Sequence, residues 1–262
     1  MAKSNSCCYR VRGSLYMQEL VNFCPTIANP NPNALIEVGN ASVFQIDITE
    51  NEISQIDFRQ KTSVKSCVDK SVDEISLAFT LHCLDQANFA RAFFGEVAED
   101  LAATAIVDEQ HVVNAACEFV PFFKTADTAI AVVVSDGTTT FVEGTDYTVS
   151  PNGILLTDAT TITFPSTLLI SYTTKSQFTV DMFKNNSRRY RIVLDGCNTH
   201  DGEPVYVEFY NVQLSPAASF NFLSPEDAFS SIEMTATVLA DPCNKDAQGI
   251  DSIAKLRGCV EV

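Results

Sequence analysis

The sequence predicts a mainly β protein with one short helix, and three observations carry that prediction. Apolar and polar residues alternate with a period of two through several segments, as they do in strands that bury one face. Only one stretch, 84–95, has the spacing of a helix. Of the 262 residues, 46% are hydrophobic and 19% are charged, the composition of a chain with a folded core. No apolar run approaches the roughly 18 residues needed to span a bilayer.

The clearest alternation lies in Ser42–Glu50, where Phe44, Ile46 and Ile48 share one face. We expect these three side chains to be buried and the polar residues between them to face outward. The same pattern is found at 53–59, 71–81, 190–195, 204–214 and 229–239. Sheets with one packed and one polar face are normally antiparallel, so the sequence predicts antiparallel sheets.

The helical stretch is Leu84–Gly95. Asp85 is placed to accept a hydrogen bond from the first turn. Phe89 and Phe93 are four residues apart, so they share a face that can pack on a sheet. Gly95 is the expected left-handed residue after the helix. The following segment, Glu96–Glu118, holds six acids and no Lys or Arg, which predicts an exposed segment.

A second composition sets Thr125–Gln177 apart. This stretch is rich in Thr, Val and Ile and is interrupted by turn signals such as Asp136-Gly137 and Glu143-Gly144. It predicts a small β-rich module, at 125–177, inserted into a core domain that comprises residues 1–120 and 180–262.

The nine cysteines are interpreted as free thiols, with a zinc site or a disulfide as the alternatives. Their number is odd, no CxxC pair occurs, and no apolar leader follows the polar first residues, so we expect folding in a reducing cytoplasm.

Catalytic motifs are missing, and the sequence predicts neither enzyme activity nor a cofactor or metal. It has no GxSxG, P-loop, GxGxxG or HExxH, and only three histidines. The loop Cys197–Gly202 contains ligand-type residues, but an ordinary polar turn is the simpler interpretation. A further alternative is a glycan-binding platform built on Tyr147, Tyr172, Tyr206 or Tyr210. The competing interpretation is that these tyrosines pack in the core or line a subunit interface.

The net charge of −16 argues against a nucleic-acid binder, which would need Lys and Arg to displace counterions from phosphates. An acidic surface is compatible with a conduit that nucleic acid passes without adhering. The alternative is that the acids only keep the protein soluble.

The order of elements resembles the tail-tube protein family of long, non-contractile phage tails, which is related to Hcp-like rings. The residues that carry the resemblance follow one another in this order: Gly13–Tyr16, Ile36–Asn40, the strand Phe44–Thr49, the strand Ile53–Arg59, the strand Glu74–Leu81, the helix ending at Gly95, Val205–Val212, Ser219–Phe222, Ser224–Asp227, the strand Ser231–Leu239 and Asp241-Pro242.

The resemblance implies two packed antiparallel sheets flanked by one helix, with subunits closing into hexameric rings that stack into a tube. Closure removes exposed strand edges. The implied partners are further copies of the chain and other tail proteins (tip or initiator, terminator, tape measure), while double-stranded DNA passes through without specific binding. The implied location is the tail of a virion assembled in the host cytoplasm, and the module at 125–177 would lie on the tube exterior.

On this interpretation the lumen-lining candidates are Gln45, Asp47, Asp57 and Glu233. The ring-stacking candidates are Lys61 and Lys65 in a predicted polar loop, 60–71, together with the N-terminal arm Met1–Tyr9. The alternatives are an exposed hairpin tip for that loop and, for the whole chain, another assembly subunit (neck, decoration or pilus-like) or a glycan-binding module.

Overall fold

The computed structural model describes residues 9–22, 24, 30–59, 64–186, 188–223, 229–245 and 253–258. It is mainly β, with several antiparallel sheets and one helix, which confirms the predicted fold class. The chain divides into two compact units: unit 1 comprises Met1–Glu96 and Val180–Val262, and unit 2 comprises Val97–Thr179. Within the part of the chain that the structure describes, no helix is long and apolar enough to cross a membrane.

The strands and the helix follow in chain order: β1 Val11–Glu19, β2 Ile36–Glu37, β3 Ala41–Asp57, β4 Val64–Leu81, α1 Gln86–Ala92, β5 Glu96–Asp100, β6 Ala105–Val113, β7 Phe119–Pro121, β8 Val133–Ser135, β9 Tyr147–Ser150, β10 Gly153–Leu156, β11 Ser166–Thr173, β12 Gln177–Asp181, β13 Arg189–Asn198, β14 Pro204–Leu214, β15 Ile232–Val238 and β16 Ala254–Gly258.

Unit 1 is built on one eight-stranded sheet with the order β2-β1-β13-β14-β15-β4-β3, to which β16 is added alongside β14. Only three residue pairs join β14 to β15, from Val212 to Leu214 on the β14 side. The rings of Phe44 on β3 and Phe209 on β14 lie 5.9 Å apart although their strands are not neighbours. The sheet therefore folds over at the β14–β15 junction, and its two parts pack face to face.

The core of unit 1 fills the space between these two parts. The alternation predicted for β15 is confirmed, because Ile232, Met234 and Val238 are buried while Glu233 is exposed. Each fully buried aliphatic side chain stabilises the fold by about 1.5–3 kcal/mol. The other members include Leu15, Met17, Leu77, Phe79, Leu81, Ile192, Phe209, Val212 and Leu214.

Two glycines face each other in the antiparallel pair formed by β1 and β13. Gly13 is paired with Gly196, and a Cβ atom on Gly13 would lie 2.2 Å from the carbonyl oxygen of Asp195. No side chain fits at that distance, so the close approach of these strands depends on glycine.

Helix α1 begins as predicted. Asp85 accepts a hydrogen bond from the backbone N–H of Asn88 at 2.7 Å. The prediction for the end of the helix is wrong in one respect, because the left-handed residue is Phe94, with φ of 50°, and not Gly95. The N–H of Gly95 donates to the carbonyl of Ala90 at 2.8 Å, which closes a Schellman-type turn one residue earlier. Gly95 is needed for space instead, since a Cβ there would lie 2.7 Å from Val180 Cγ1.

The prediction that all nine cysteines are free thiols is wrong for one pair. Cys24 and Cys243 form a disulfide with their Cα atoms 5.4 Å apart, although 219 residues separate them in sequence. Asp241 positions Cys243 by accepting a hydrogen bond from its backbone N–H at 3.0 Å. Among the described residues, Cys67, Cys83, Cys117 and Cys197 are free.

Unit 2 contains two three-stranded antiparallel sheets, β7-β10-β9 and β6-β11-β8, around its own apolar core. It begins at Val97, well before the predicted boundary at Thr125, because β6 and β7 pair with β11 and β10 of the module. The acidic segment 96–118, predicted to be exposed, supplies β5 and the sheet strand β6. Its Glu109 is 6% exposed and is satisfied by the Tyr172 hydroxyl at 2.6 Å and the Phe123 N–H at 3.0 Å.

Candidate assembly surface

The β3–β4 hairpin is a long feature of unit 1 that is exposed over most of its length. Its strands pair from Ala41–Leu81 to Asp57–Val64, but β15 pairs with β4 only from Ser76 to Leu81. We call the distal part, residues 50–58 and 64–73, the ribbon. The predicted polar loop at 60–71 is wrong for residues 64–71, which continue β4, while residues 60–63 lie outside the described part of the chain.

The core face of this hairpin continues beyond the core. Leu77 and Phe79 are buried, whereas their neighbours on the same face, Ile46 and Ile48, are 46% and 60% exposed. The prediction that Ile46 and Ile48 are buried is therefore wrong for a single chain, because no described residue of the opposite layer covers them. Phe44 is partly buried against the core, as its position in the pattern requires.

The ribbon exposes apolar side chains along its whole length. Phe58, Ile53 and Val72 are 86%, 66% and 59% exposed, and Ile56, Val64 and Val68 are also exposed. Val72, Val68 and Ile56 lie on the core face, whereas Ile53 and Val64 lie on the opposite face. A two-stranded hairpin alone is marginally stable in water, and exposed apolar side chains on both of its faces favour contact with another molecule. The ribbon therefore has the character of a surface that another molecule covers.

Four charged residues of the ribbon form ion pairs on one of its two faces. Lys70 Nζ lies 3.2 Å from Glu50 Oε2, and Lys65 pairs with Glu52. The register shifts between Thr49 and Glu50 and between Gln55 and Ile56, but each extra residue is on β4. The alternation of β3 therefore places Glu50 and Glu52 on the same face as Ile46 and Ile48. Lys65 is thus held within its own ribbon rather than in a loop, and Lys61 lies outside the described residues.

The opposite face of β15–β4–β3, which we call the outward face, is polar and acidic. The register aligns Glu233 with Thr80 and Ser42, and places Gln45 and Asp47 on the next two rows. Gln45 Nε2 donates to Asp47 Oδ1 at 2.6 Å. The structure therefore brings three of the four predicted lumen residues to one face of one sheet.

The fourth residue, Asp57, lies on the same face of β3 by alternation, but at the far end of the ribbon. It is ten residues beyond Asp47, about 33 Å along an extended strand. Asp57 Oδ1 accepts from Arg59 Nε at 3.0 Å, and this bond lowers the pKa of the Asp57 carboxyl. The lysines of the hairpin that the structure describes, Lys65 and Lys70, lie on the other face, so the outward face keeps a negative charge.

A groove of about 470 Å³ lies where β1 and the start of β3 diverge. It is lined by Val11, Arg12, Leu15, Ala41, Val43 and Leu194, among others. Val43 is 62% exposed and has φ of 56°, an unusual conformation for a β-branched residue. The sequence analysis did not find this groove, because it depends on where two distant strands separate.

Other candidate sites are explained by local structure. In the loop 197–202, Asn198 Nδ2 donates to Asp201 Oδ2 at 2.9 Å, which closes the β13–β14 turn. Tyr147 and Tyr172 are 2% and 3% exposed, so neither ring is available to stack on a sugar. Across the described ranges, no group of three or more His, Cys, Asp or Glu side chains is arranged to hold a metal ion.

Comparison with known proteins supports one assignment at the level of family. No curated protein matches the chain. A family profile matches residues 8–250, nearly the whole sequence and both units. The chain therefore belongs to the family described as "Protein of unknown function UCP028589".

Proposed function

We propose that this protein is a structural subunit of a phage tail tube, which assembles into stacked hexameric rings and acts in the virion. The observation that carries the proposal is the core face of the β3–β4 hairpin, which continues past the core as an uncovered surface where Ile46, Ile48, Val68 and Val72 are exposed beside ion pairs. A chain that folds with such a surface gains most by covering it with another chain.

The acidic outward face supports the second part of the proposal, that the tube conducts DNA. Glu233 and Asp47 lie on one face, with Glu74 nearby, where Thr237 Oγ1 donates to Glu74 Oε1 at 3.1 Å. A lumen lined by the Asp47 and Glu233 part of this face repels phosphates, and Arg59 at the far end of the hairpin is paired with Asp57. DNA then passes without adhering.

Electron microscopy of the purified protein across a concentration series tests the assembly. We expect rings with a central hole, or tubes built from them. The matched variant replaces residues 51–71 by a two-residue Asn-Gly turn. It should fold and remain monomeric. Its circular dichroism spectrum should differ from that of the wild type only by the smaller strand content. A wild-type protein that forms closed particles without a central channel would instead favour a neck or decoration subunit.

Charge reversal tests the lumen. In infectious particles, Asp47→Lys with Glu233→Lys should leave tube length unchanged and reduce genome delivery. The control is Glu143→Lys with Asp158→Lys, which makes the same charge change at exposed positions of unit 2. Equal delivery by both double variants would show that the outward face does not line the channel.

A further inference from the structure

The groove between β1 and β3 and the ribbon are two uncovered features of the same chain, and their properties are complementary. We propose that the groove of one copy receives the ribbon of a second copy, so that the subunits associate head to tail. This inference rests on the proposed self-assembly and names the surface that does the binding.

The ribbon cannot enter the groove of its own chain. Ala41, Val43 and Phe44 form one wall of the groove, and β3 runs away from that wall as an extended strand. Ile53 is ten residues from Val43, about 33 Å away along the strand. The ribbon of another copy is free of this restriction.

The size of the groove matches a segment of strand. A residue in a packed sheet occupies about 160 Å³, from a rise of about 3.3 Å, a strand spacing of about 4.8 Å and a sheet spacing of about 10 Å. The groove of about 470 Å³ therefore accommodates about three residues of an incoming strand.

Among the described residues, no strand pairs with the groove side of β1 before Tyr16. Val38 N–H donates to Leu15 C=O at 2.9 Å, which shows that Leu15 directs its backbone groups away from β13. By alternation, Val11 and Gly13 direct theirs the same way, and β2 pairs with β1 only at Tyr16 and Met17. An incoming strand would extend the sheet by pairing with this edge.

Charge favours the same occupant. The ribbon, residues 50–58 and 64–73, contains five acids and two bases, whereas Arg12 lines the groove and Arg10 precedes it. An acidic ribbon meeting an arginine-bearing groove gives a complementary contact, and two copies of the same arginine-bearing edge would repel each other. A contact between two different surfaces of one chain generates rings or filaments rather than a closed dimer.

Photo-crosslinking of the full chain tests the contact. The photoreactive residue p-benzoylphenylalanine replaces Arg12 in one preparation, which is mixed with ¹⁵N-labelled wild-type protein before irradiation. Mass spectrometry should find adducts between the Arg12 position and labelled peptides from residues 50–72. The control places the same photoreactive residue at Asp158, on the exposed surface of unit 2, and should not yield that adduct.

Two results would overturn the inference: adducts from the Arg12 position to other segments, or adducts that join only unlabelled peptides to each other. If rings or tubes form in that case, the proposed function stands and only the docking site is wrong; a protein that never self-associates counts against both. A second measurement uses charge alone. Arg12→Glu should raise the concentration required for assembly about tenfold, and Arg12→Lys should restore it, while an unchanged value in Arg12→Glu would also contradict the contact.

Discussion

The uncovered core face of the hairpin predicts a separation between folding and assembly. Val68 and Val72 lie on that face and are 46% and 59% exposed in the single chain. Val68→Thr with Val72→Thr keeps the shape and the β-branching of both side chains and adds two hydroxyl groups. In the monomer these hydroxyls contact water, so the free energy of unfolding should change by less than about 0.5 kcal/mol.

In the assembled state the same hydroxyls would be buried. A buried hydroxyl without a partner costs about 1–3 kcal/mol, so the pair should weaken each subunit contact by about 2–6 kcal/mol. This corresponds to an increase of about 30-fold to about 20,000-fold in the concentration for half assembly.

Sedimentation velocity across a concentration series measures the assembly, and thermal unfolding measures the fold. An unchanged assembly midpoint would refute the idea that this face is covered by another copy. A loss of more than about 1 kcal/mol in the monomer would show instead that the two valines already pack within the chain.

Three further predictions concern stability. Burial and the hydrogen bond to Glu109 raise the pKa of Tyr172 to about 12. The stability that the neutral phenol provides is therefore complete below pH about 10 and is lost as the pH rises through about 12. The pKa values of Tyr147, Tyr190, Tyr206 and Tyr210 are raised as well. Tyrosinate absorbance should therefore show one fewer late-titrating group in Tyr172→Phe than in the wild type, and an unchanged late amplitude would contradict the assignment. Asp146 accepts from the Val142 N–H at 2.9 Å and the Thr161 N–H at 2.7 Å, and these bonds lower the pKa of its carboxyl. The stability that the Asp146 carboxylate provides is present above the ordinary pKa of 3.8 and is lost as the pH falls below it. Asp146→Asn should lower the free energy of unfolding by about 1–3 kcal/mol at neutral pH, measured by thermal unfolding. An unchanged free energy of unfolding would show that the charge is dispensable. Reduction of the Cys24–Cys243 disulfide should lower the unfolding temperature of the wild type, since the bond closes a loop of over 200 residues and contributes up to about 5 kcal/mol. The unfolding temperature of the double serine variant should not change with reductant. If reductant lowered it as much as in the wild type, the sensitive bond would lie elsewhere.

Local features of the fold could be predicted because short-range chemistry decides them. The period-two alternation identified β14 and β15, and Asp85 was identified as the helix cap from its own neighbours. The end of the helix was less predictable. Space beside Val180, 85 residues away in sequence, determines why Gly95 is a glycine, while Phe94 adopts the left-handed conformation.

The candidate assembly surface could be predicted only in part from the alternation of apolar and polar residues. Alternation assigned Ile46 and Ile48 to the apolar face correctly, but it does not say how far the opposite layer extends. Exposure of that face therefore appears only in three dimensions. The extension of β4 back to Val64 was hidden for a related reason, since Lys65 and Lys70 look like loop residues until they are paired with Glu52 and Glu50.

The position of unit 2 within the chain has a consequence for synthesis on the ribosome. Its strands pair only within residues 97–179, apart from the β5–β12 pair at its ends, so it can fold as soon as that stretch has emerged. Unit 1 must wait, because β1 pairs with β13 from Val11↔Asn198 onward and β4 needs β15. The β3–β4 hairpin is thus made early and stays without its sheet partner while about 150 further residues are added. During that interval the nascent chains of one polysome carry exposed apolar hairpins close to one another, so contacts between hairpins compete with completion of the sheet.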